Sequence, residues 1–203
     1  MWFIGDVHGL FKDYIRILEY VVGKESSIQV GDMGLGFTSR PVLDELPELP
    51  DRHKFIRGNH DKPESCRLHP NYLGEFGYDK ERDLFFVSGG FSVDRNYRIE
   101  GLSWWRDEQL TSAQMIEAYA LYSSARPRIM VTHEAPDSVV QAAPFLIWSG
   151  MTHTATGMFL DRLWRLHQPW LWIAGHYHKD ADLKLEDTRF RLLPELGVFH
   201  LEE

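Results

Sequence analysis

The sequence predicts an α/β protein, on three observations. Short apolar runs recur along the chain, and each stops at a polar residue flanked by glycine or threonine. Stretches with helical spacing lie between several of these runs. No repeat, low-complexity tract or linker interrupts the 203 residues, so one domain over residues 1–203 is expected.

The elements follow in order. Trp2–Gly5 reads as a short buried strand running into GDVHG. FKDYIRILEYVVG places Phe11, Tyr14, Ile15, Leu18 and Val22 at helical spacing, and Gly23 is its stop. Ile28–Gly31 is a second strand, entering GDMG, and Lys54–Arg57 a third, entering GNHD. A β-rich middle is expected from LFFVSGG and FSVDRNYRI. Residues 111–122 are helix-like, with Thr111 as N-cap. Arg128–Val131 is a strand leading into THEAP, followed by a loop over 137–152. Thr154–His167 has helical spacing, Pro169–Ala174 is a strand leading into GHYH, and DLKLEDTRFRLLPELGVFHLEE reads as a hairpin or edge strands.

Composition sets bounds on function. A net charge of -8 argues against non-specific nucleic-acid binding, which needs a basic face. A nucleotide substrate stays open, because bound cations supply positive charge locally. Cys66 is the single cysteine, which excludes an intrachain disulfide and a thiolate zinc site and fits a reducing, cytoplasmic setting. With a motif beginning at residue 5, no signal peptide is expected, and the longest apolar run, Ala142 to Trp148, is too short to cross a bilayer.

Collected together, the strand ends carry Asp6 and His8, Asp32, Asn59 and His60, His133, and His176 and His178. In a parallel sheet, or in two packed sheets, such ends meet on one rim. Oxygen and imidazole donors without thiols suit Mn²⁺, Fe²⁺, Zn²⁺, Co²⁺ or Ni²⁺. Leaving His60 aside, the seven donors exceed what one ion needs, and a pair of ions about 3.5–4 Å apart would use them. Residues two apart on extended backbone point the same way, so His176 and His178 are expected to face one centre.

The ordered set GDVHG, GDMG, GNHD, a lone His and GHYH resembles the signature of the metallophosphoesterase superfamily, the calcineurin-like phosphoesterases. The resemblance spans residues 5–178 and implies a four-layer α/β/β/α sandwich, two mixed sheets flanked by helices. It implies that Asp6, His8 and His178 hold one divalent ion and Asn59, His133 and His176 another, with Asp32 bridging them and Mn²⁺ the first choice. A hydroxide between the ions would attack phosphorus in line, and His60 would be the general acid.

Substrate contacts are expected at Arg57, Arg95 and His153, each beside a structural alternative. For Arg57 the alternative is a role in the fold, for Arg95 a surface ion pair with Asp94 or Asp107, and for His153 a helix start. The segment SGGFSVDRNYRIEGLSWWRDEQLT is similar to one that follows GNHD in short bacterial and phage members. Trp164, Trp170 and Trp172 read as core or sheet-face residues; for the adjacent Trp104 and Trp105 packing is the favoured reading, with one of them stacking on a base as the alternative. GDMGLGF lacks the Asp and Arg that protein phosphatases of this superfamily carry in the second block. That absence favours a phosphodiesterase or phosphomonoesterase on small or nucleotide substrates over a Ser/Thr protein phosphatase. A non-catalytic scaffold is the reading from another class, and the complete donor set speaks against it.

Overall fold

Two runs of buried strands face each other in the computed structural model, which describes residues 1–37, 46–146 and 153–202. The first sheet holds β1 (Trp2–Ile4), β2 (Ser27–Val30) and β3 (His53–Ile56), all parallel. The last strand, β10 (Val198–His200), pairs antiparallel with β1, giving the order β10-β1-β2-β3. The second sheet comprises β4 (Phe76–Asp79), β5 (Leu84–Val87), β6 (Ile129–Thr132), β7 (Leu171–Ala174), β8 (Ala181–Leu185) and β9 (Thr188–Leu192). Its order is β4-β5-β6-β7-β9-β8, parallel in the middle with antiparallel edges.

Strand alternation explains the layers. Phe3, Ile28, Val30 and Ile56 of the first sheet pack against Leu84, Phe86, Ile129, Val131, Leu171 and Ile173 of the second. Their neighbours point the other way. Ile4 and Phe55 meet Phe11, Tyr14, Leu18 and Val22 of the first helical segment. Phe85, Met130, Trp172 and Ala174 meet Ala118, Tyr122, Leu160, Leu163 and Trp164. Because both faces of the parallel strands are covered, they read as continuous apolar runs rather than alternating ones. The expected α/β/β/α sandwich is therefore the one found.

Helices α1 (Phe11–Ile17), α2 (Pro63–Leu68), α3 (Ser112–Ala125), α4 (Asp137–Ala142) and α5 (Ala155–Leu166) complete the layers. The long apolar-spaced stretch after α1 continues as a π-helical turn over Leu18–Val22, and Gly23, with φ 62°, ends it. Thr111 caps α3 in a reciprocal capping box with Gln114, and Thr154 caps α5 through Gly157. No helix among the described residues is long and apolar enough to cross a membrane.

Three expectations fail. FSVDRNYRI forms turns and a 3₁₀ helix over Arg95–Tyr97, not a strand. Gly89, at φ 91°, turns the chain out of the sheet, and Val93, Tyr97 and Ile99 lie exposed with no strand among the described residues to cover them. The expected loop after THEAP begins with α4, while its residues 147–152 lie outside the described ones. Trp170 precedes β7 and is 38% exposed, whereas Trp172 is fully buried and donates to Thr132 Oγ1 at 2.8 Å.

Candidate metal centre

Parallel strands deliver their carboxyl ends to one rim, and both sheets deliver them to the same place. From β1 come Asp6 and His8, from β2 Asp32, and from β3 Asn59 and His60. From the second sheet, β6 supplies His133, and β7 supplies His176 and His178. The approach is close enough to require glycine: a Cβ on Gly58 would lie 2.1 Å from Asp32 Oδ1, and one on Gly175 2.2 Å from Asp6 Oδ1.

Asp6, His8, Asp32 and His178 each offer one ligand atom, all within 4.8 Å of one another. His178 Nε2 stands 3.1 Å from Asp6 Oδ2 and 2.8 Å from His8 Nε2. His8 Nε2 is 3.9 Å from Asp32 Oδ2. The other Asp32 oxygen faces a second group. His133 Nε2 lies 3.3 Å from Asp32 Oδ1, 3.1 Å from Asn59 Oδ1 and 3.2 Å from His176 Nδ1. His176 Nδ1 is 3.0 Å from Asn59 Oδ1.

Outer partners aim these atoms inward. His133 Nδ1 donates to the Val30 carbonyl at 3.0 Å, which leaves the Nε2 lone pair facing the centre. Asn59 Nδ2 donates to Ser92 Oγ at 3.2 Å, which turns Oδ1 inward. Asp32 Oδ1 accepts the His60 backbone N–H at 2.7 Å, and Asp6 accepts that of His176 at 3.1 Å. Lone pairs converging at about 3 Å repel unless a cation or proton lies between them, so the donor set fits divalent cations.

The electrostatics say the same. Burial works against ionising Asp6, but His178 and His8 outweigh it and hold the carboxyl at about 2. Asp32 is held well below the usual carboxylate range, against its burial, chiefly by His133. Burial also opposes charge on His133, yet Asp32 lifts it to about 10. The carboxylates that favour that proton also favour a cation in its place. His176, buried beside His133, is pushed down to about 3, which keeps a neutral ligand.

The backbone at the donors departs from expectation. His8, Asp32, His176 and His178 have φ of 50°, 56°, 71° and 51°, so HYH is not extended but turned into the left-handed region. The ends of β1, β2 and β7 bend sharply at these residues, a conformation that costs about 1–2 kcal/mol per non-glycine residue.

The expected substrate contacts fare differently. Arg57 is 1% exposed; its Nε and Nη2 bond Glu75 at 3.0 and 2.6 Å, and Nη1 bonds the Glu108 carbonyl. Its guanidinium is committed to joining β3 to the segment before β4. Arg95 is exposed and lies over the Phe91 ring at 4.9 Å, pairing with neither expected partner. Asp94 pairs with Arg98, and Asp107 with Arg67. His153 is 64% exposed and bonds Asp137 at 3.0 Å just ahead of the α5 cap, a helix-start role. Trp105 is buried, 5.9 Å from the Phe37 ring, so it has no face free for a base.

Two residues of the site escape sequence reasoning. Asp61 is fully buried and accepts the backbone N–H groups of Met33, Gly34, Leu35 and Gly58 at 2.7–3.2 Å, tying the GDMGL turn to GNHD. Its signal was the acid ending GNHD, next to a turn rich in unpaired N–H groups. Arg98 touches His60 at Nε2, and nothing in the sequence distinguishes it from Arg95.

A two-sheet sandwich whose strand ends gather carboxylates, an amide and imidazoles is the layout of a metal-binding hydrolase. Residues 1–180 match the calcineurin-like phosphoesterase (Metallophos) family model, and the chain belongs to that family of phosphoric-ester hydrolases. Its fold is similar to that of TT1561 of Thermus thermophilus, with 13% identity and a TM-score of 0.55, covering 96% of this chain and 89% of that one. It is also similar to that of GAP50, the anchor in the inner membrane complex of Plasmodium, with 12% identity and a TM-score of 0.51, covering 95% and 70% of the two chains. No curated protein sequence matches the chain.

Proposed function

We propose that the protein is a cytoplasmic phosphodiesterase or phosphomonoesterase acting on small or nucleotide phosphoesters, working as one catalytic domain with two divalent cations, Mn²⁺ foremost. The observation that carries this reading is Asp32, which turns Oδ2 to one donor group and Oδ1 to the other. Asp6, His8 and His178 would hold one ion, and Asn59, His133 and His176 the second. When bound, such ions lower the pKa of water and take up charge on phosphoryl oxygens.

The chain's own residues supply the rest. His60 stacks on Phe37 at 4.6 Å with 8° between the planes and keeps Nδ1 3.9 Å from Asp32 Oδ2. That position supports His60 as the group that would protonate the leaving oxygen. Burial, aided by the nearby Arg98 charge and opposed by Asp32, pushes it down to about 4, so it rests neutral. An anionic substrate beside the ring favours the protonated form.

Hydrolysis of bis-p-nitrophenyl phosphate beside p-nitrophenyl phosphate tests the reading, on metal-stripped protein resupplied with Mn²⁺. Turnover that depends on the added metal is the expected result. Preference for the diester supports a phosphodiesterase, and preference for the monoester a phosphatase. Absence of turnover of both esters by folded, metal-loaded protein would overturn the reading.

A further inference from the structure

The loop between β5 and α3 is fastened to two adjacent residues of the centre. Ser92, fully buried, accepts from Asn59 and donates to Glu108 Oε2 at 2.6 Å, while its backbone N–H bonds Glu108 Oε1 at 3.0 Å. Six residues later Arg98 reaches His60, with Nη2 on the imidazole Nε2. A guanidinium has no lone pair to offer, so Nε2 is the acceptor and the ring proton sits on Nδ1.

Arg98 is held in that pose from several sides. Its Nε pairs with Asp94 at 2.6 Å, Nη1 donates to the Ser103 carbonyl at 3.3 Å, and Cζ lies 5.4 Å from the Phe37 ring centre. Only 10% of the side chain is exposed. Phe37 therefore carries both the imidazole and the guanidinium. A cation in a fixed direction stands against His60, the proposed general acid, while Arg57 is spent on Glu75.

We propose that Arg98 is a phosphate-binding residue of this enzyme, its Nη2 edge donating to a phosphoryl oxygen of the substrate. The segment after β5 thereby supplies the guanidinium that GDMGLGF lacks; the proposal rests on the phosphoesterase reading above. Imidazole is a neutral acceptor and a phosphoryl oxygen an anionic one, and charge-assisted hydrogen bonds are roughly twice as strong. An arriving phosphate thus draws the N–H away from His60 and leaves Nε2 free. Lysine would keep the charge without the planar fork.

The test uses metal-loaded wild type, Arg98→Met, Arg98→Lys and Arg106→Met. Arg106 is a surface residue 79% exposed and paired with Glu100, so its loss removes the same charge away from the site. For each, kcat and KM for p-nitrophenyl phosphate are measured beside inhibition by inorganic phosphate and metal content. Arg98→Met is expected to weaken phosphate inhibition and lower kcat/KM by about tenfold to a hundredfold, the range of one or two hydrogen bonds to a charged group. Its metal content stays that of wild type, Arg98→Lys recovers part of the loss, and Arg106→Met stays within about twofold of wild type. If Arg98→Met does not fold, Arg98→Gln decides by the same readouts. Unchanged phosphate inhibition in the folded neutral variant overturns the role of Arg98 alone. A wild type inert toward the ester overturns the parent reading instead.

Discussion

Asp32 divides its two oxygens between the donor groups, and that division sets what its loss should do. On the two-ion proposal, Asp32→Ala is expected to strip both ions, read as metal content falling to background. His60→Ala removes no donor, so it should keep its metal and lose about 10²- to 10⁴-fold in kcat. Metal retained by the first variant, or full turnover by the second, would contradict these roles. That the seven candidate donors gather at one rim was legible because each stands in a short motif at a strand end. Arg98 was not, because its contact with His60 spans 38 residues. The choice between Arg95 and Arg98 depends on a 3₁₀ turn that points one outward and the other in. For Arg57 the structural alternative is the one found, and its partner Glu75 was not legible because it lies 18 residues on with no local pattern linking them.

Among the elements, β3 carries a pH-sensitive joint well away from the rim. His53 is 1% exposed and bonds Ser27 Oγ of β2 at 2.9 Å. Burial, reinforced by the charge of Arg52, pushes it down to about 4. Between about pH 6.5 and 4 the unfolded chain binds a proton that the folded chain refuses, so stability falls as the pH is lowered through that window. Metal-free wild type should lose about 1–2 kcal/mol more than His53→Gln between pH 7 and pH 5, measured by urea denaturation. Equal losses would show that His53 titrates alike in both states. Legibility at this scale follows local chemistry. The capped helices α3 and α5 could be read from Thr111 and Thr154. By contrast, the apolar residues of FSVDRNYRI imitated a strand although no strand among the described residues pairs with that segment. Helix α2 passed unread despite Pro63 at its first turn, because six residues show too little periodicity.

For the whole molecule, the centre is a bridge between sheets, with Asp6, His8, Asp32 and Asn59 on one side and His133, His176 and His178 on the other. Ions held there stabilise only the folded arrangement, by about 2.7 kcal/mol at a hundredfold excess over Kd. A chelator should therefore lower the thermal midpoint by several degrees, and Asp32→Ala should show no such shift. Calorimetry with and without chelator decides it. The sandwich itself was legible through the order of the motifs. The registry of its two sheets was not, since burial on both faces erases the alternation that would assign a side chain to the inner or the outer layer.

The donors of one subsite are separated by almost the entire chain: His8 and His178 touch across 170 residues. During synthesis the first three strands can leave the ribosome and pair while His133, His176 and His178 are still untranslated. On the proposed ligand set, metal acquisition would be a late event, completed only after β7 and the turn beyond it have emerged. Until then the nascent chain would present half of the proposed cage, with the left-handed turns at His176 and His178 still to form.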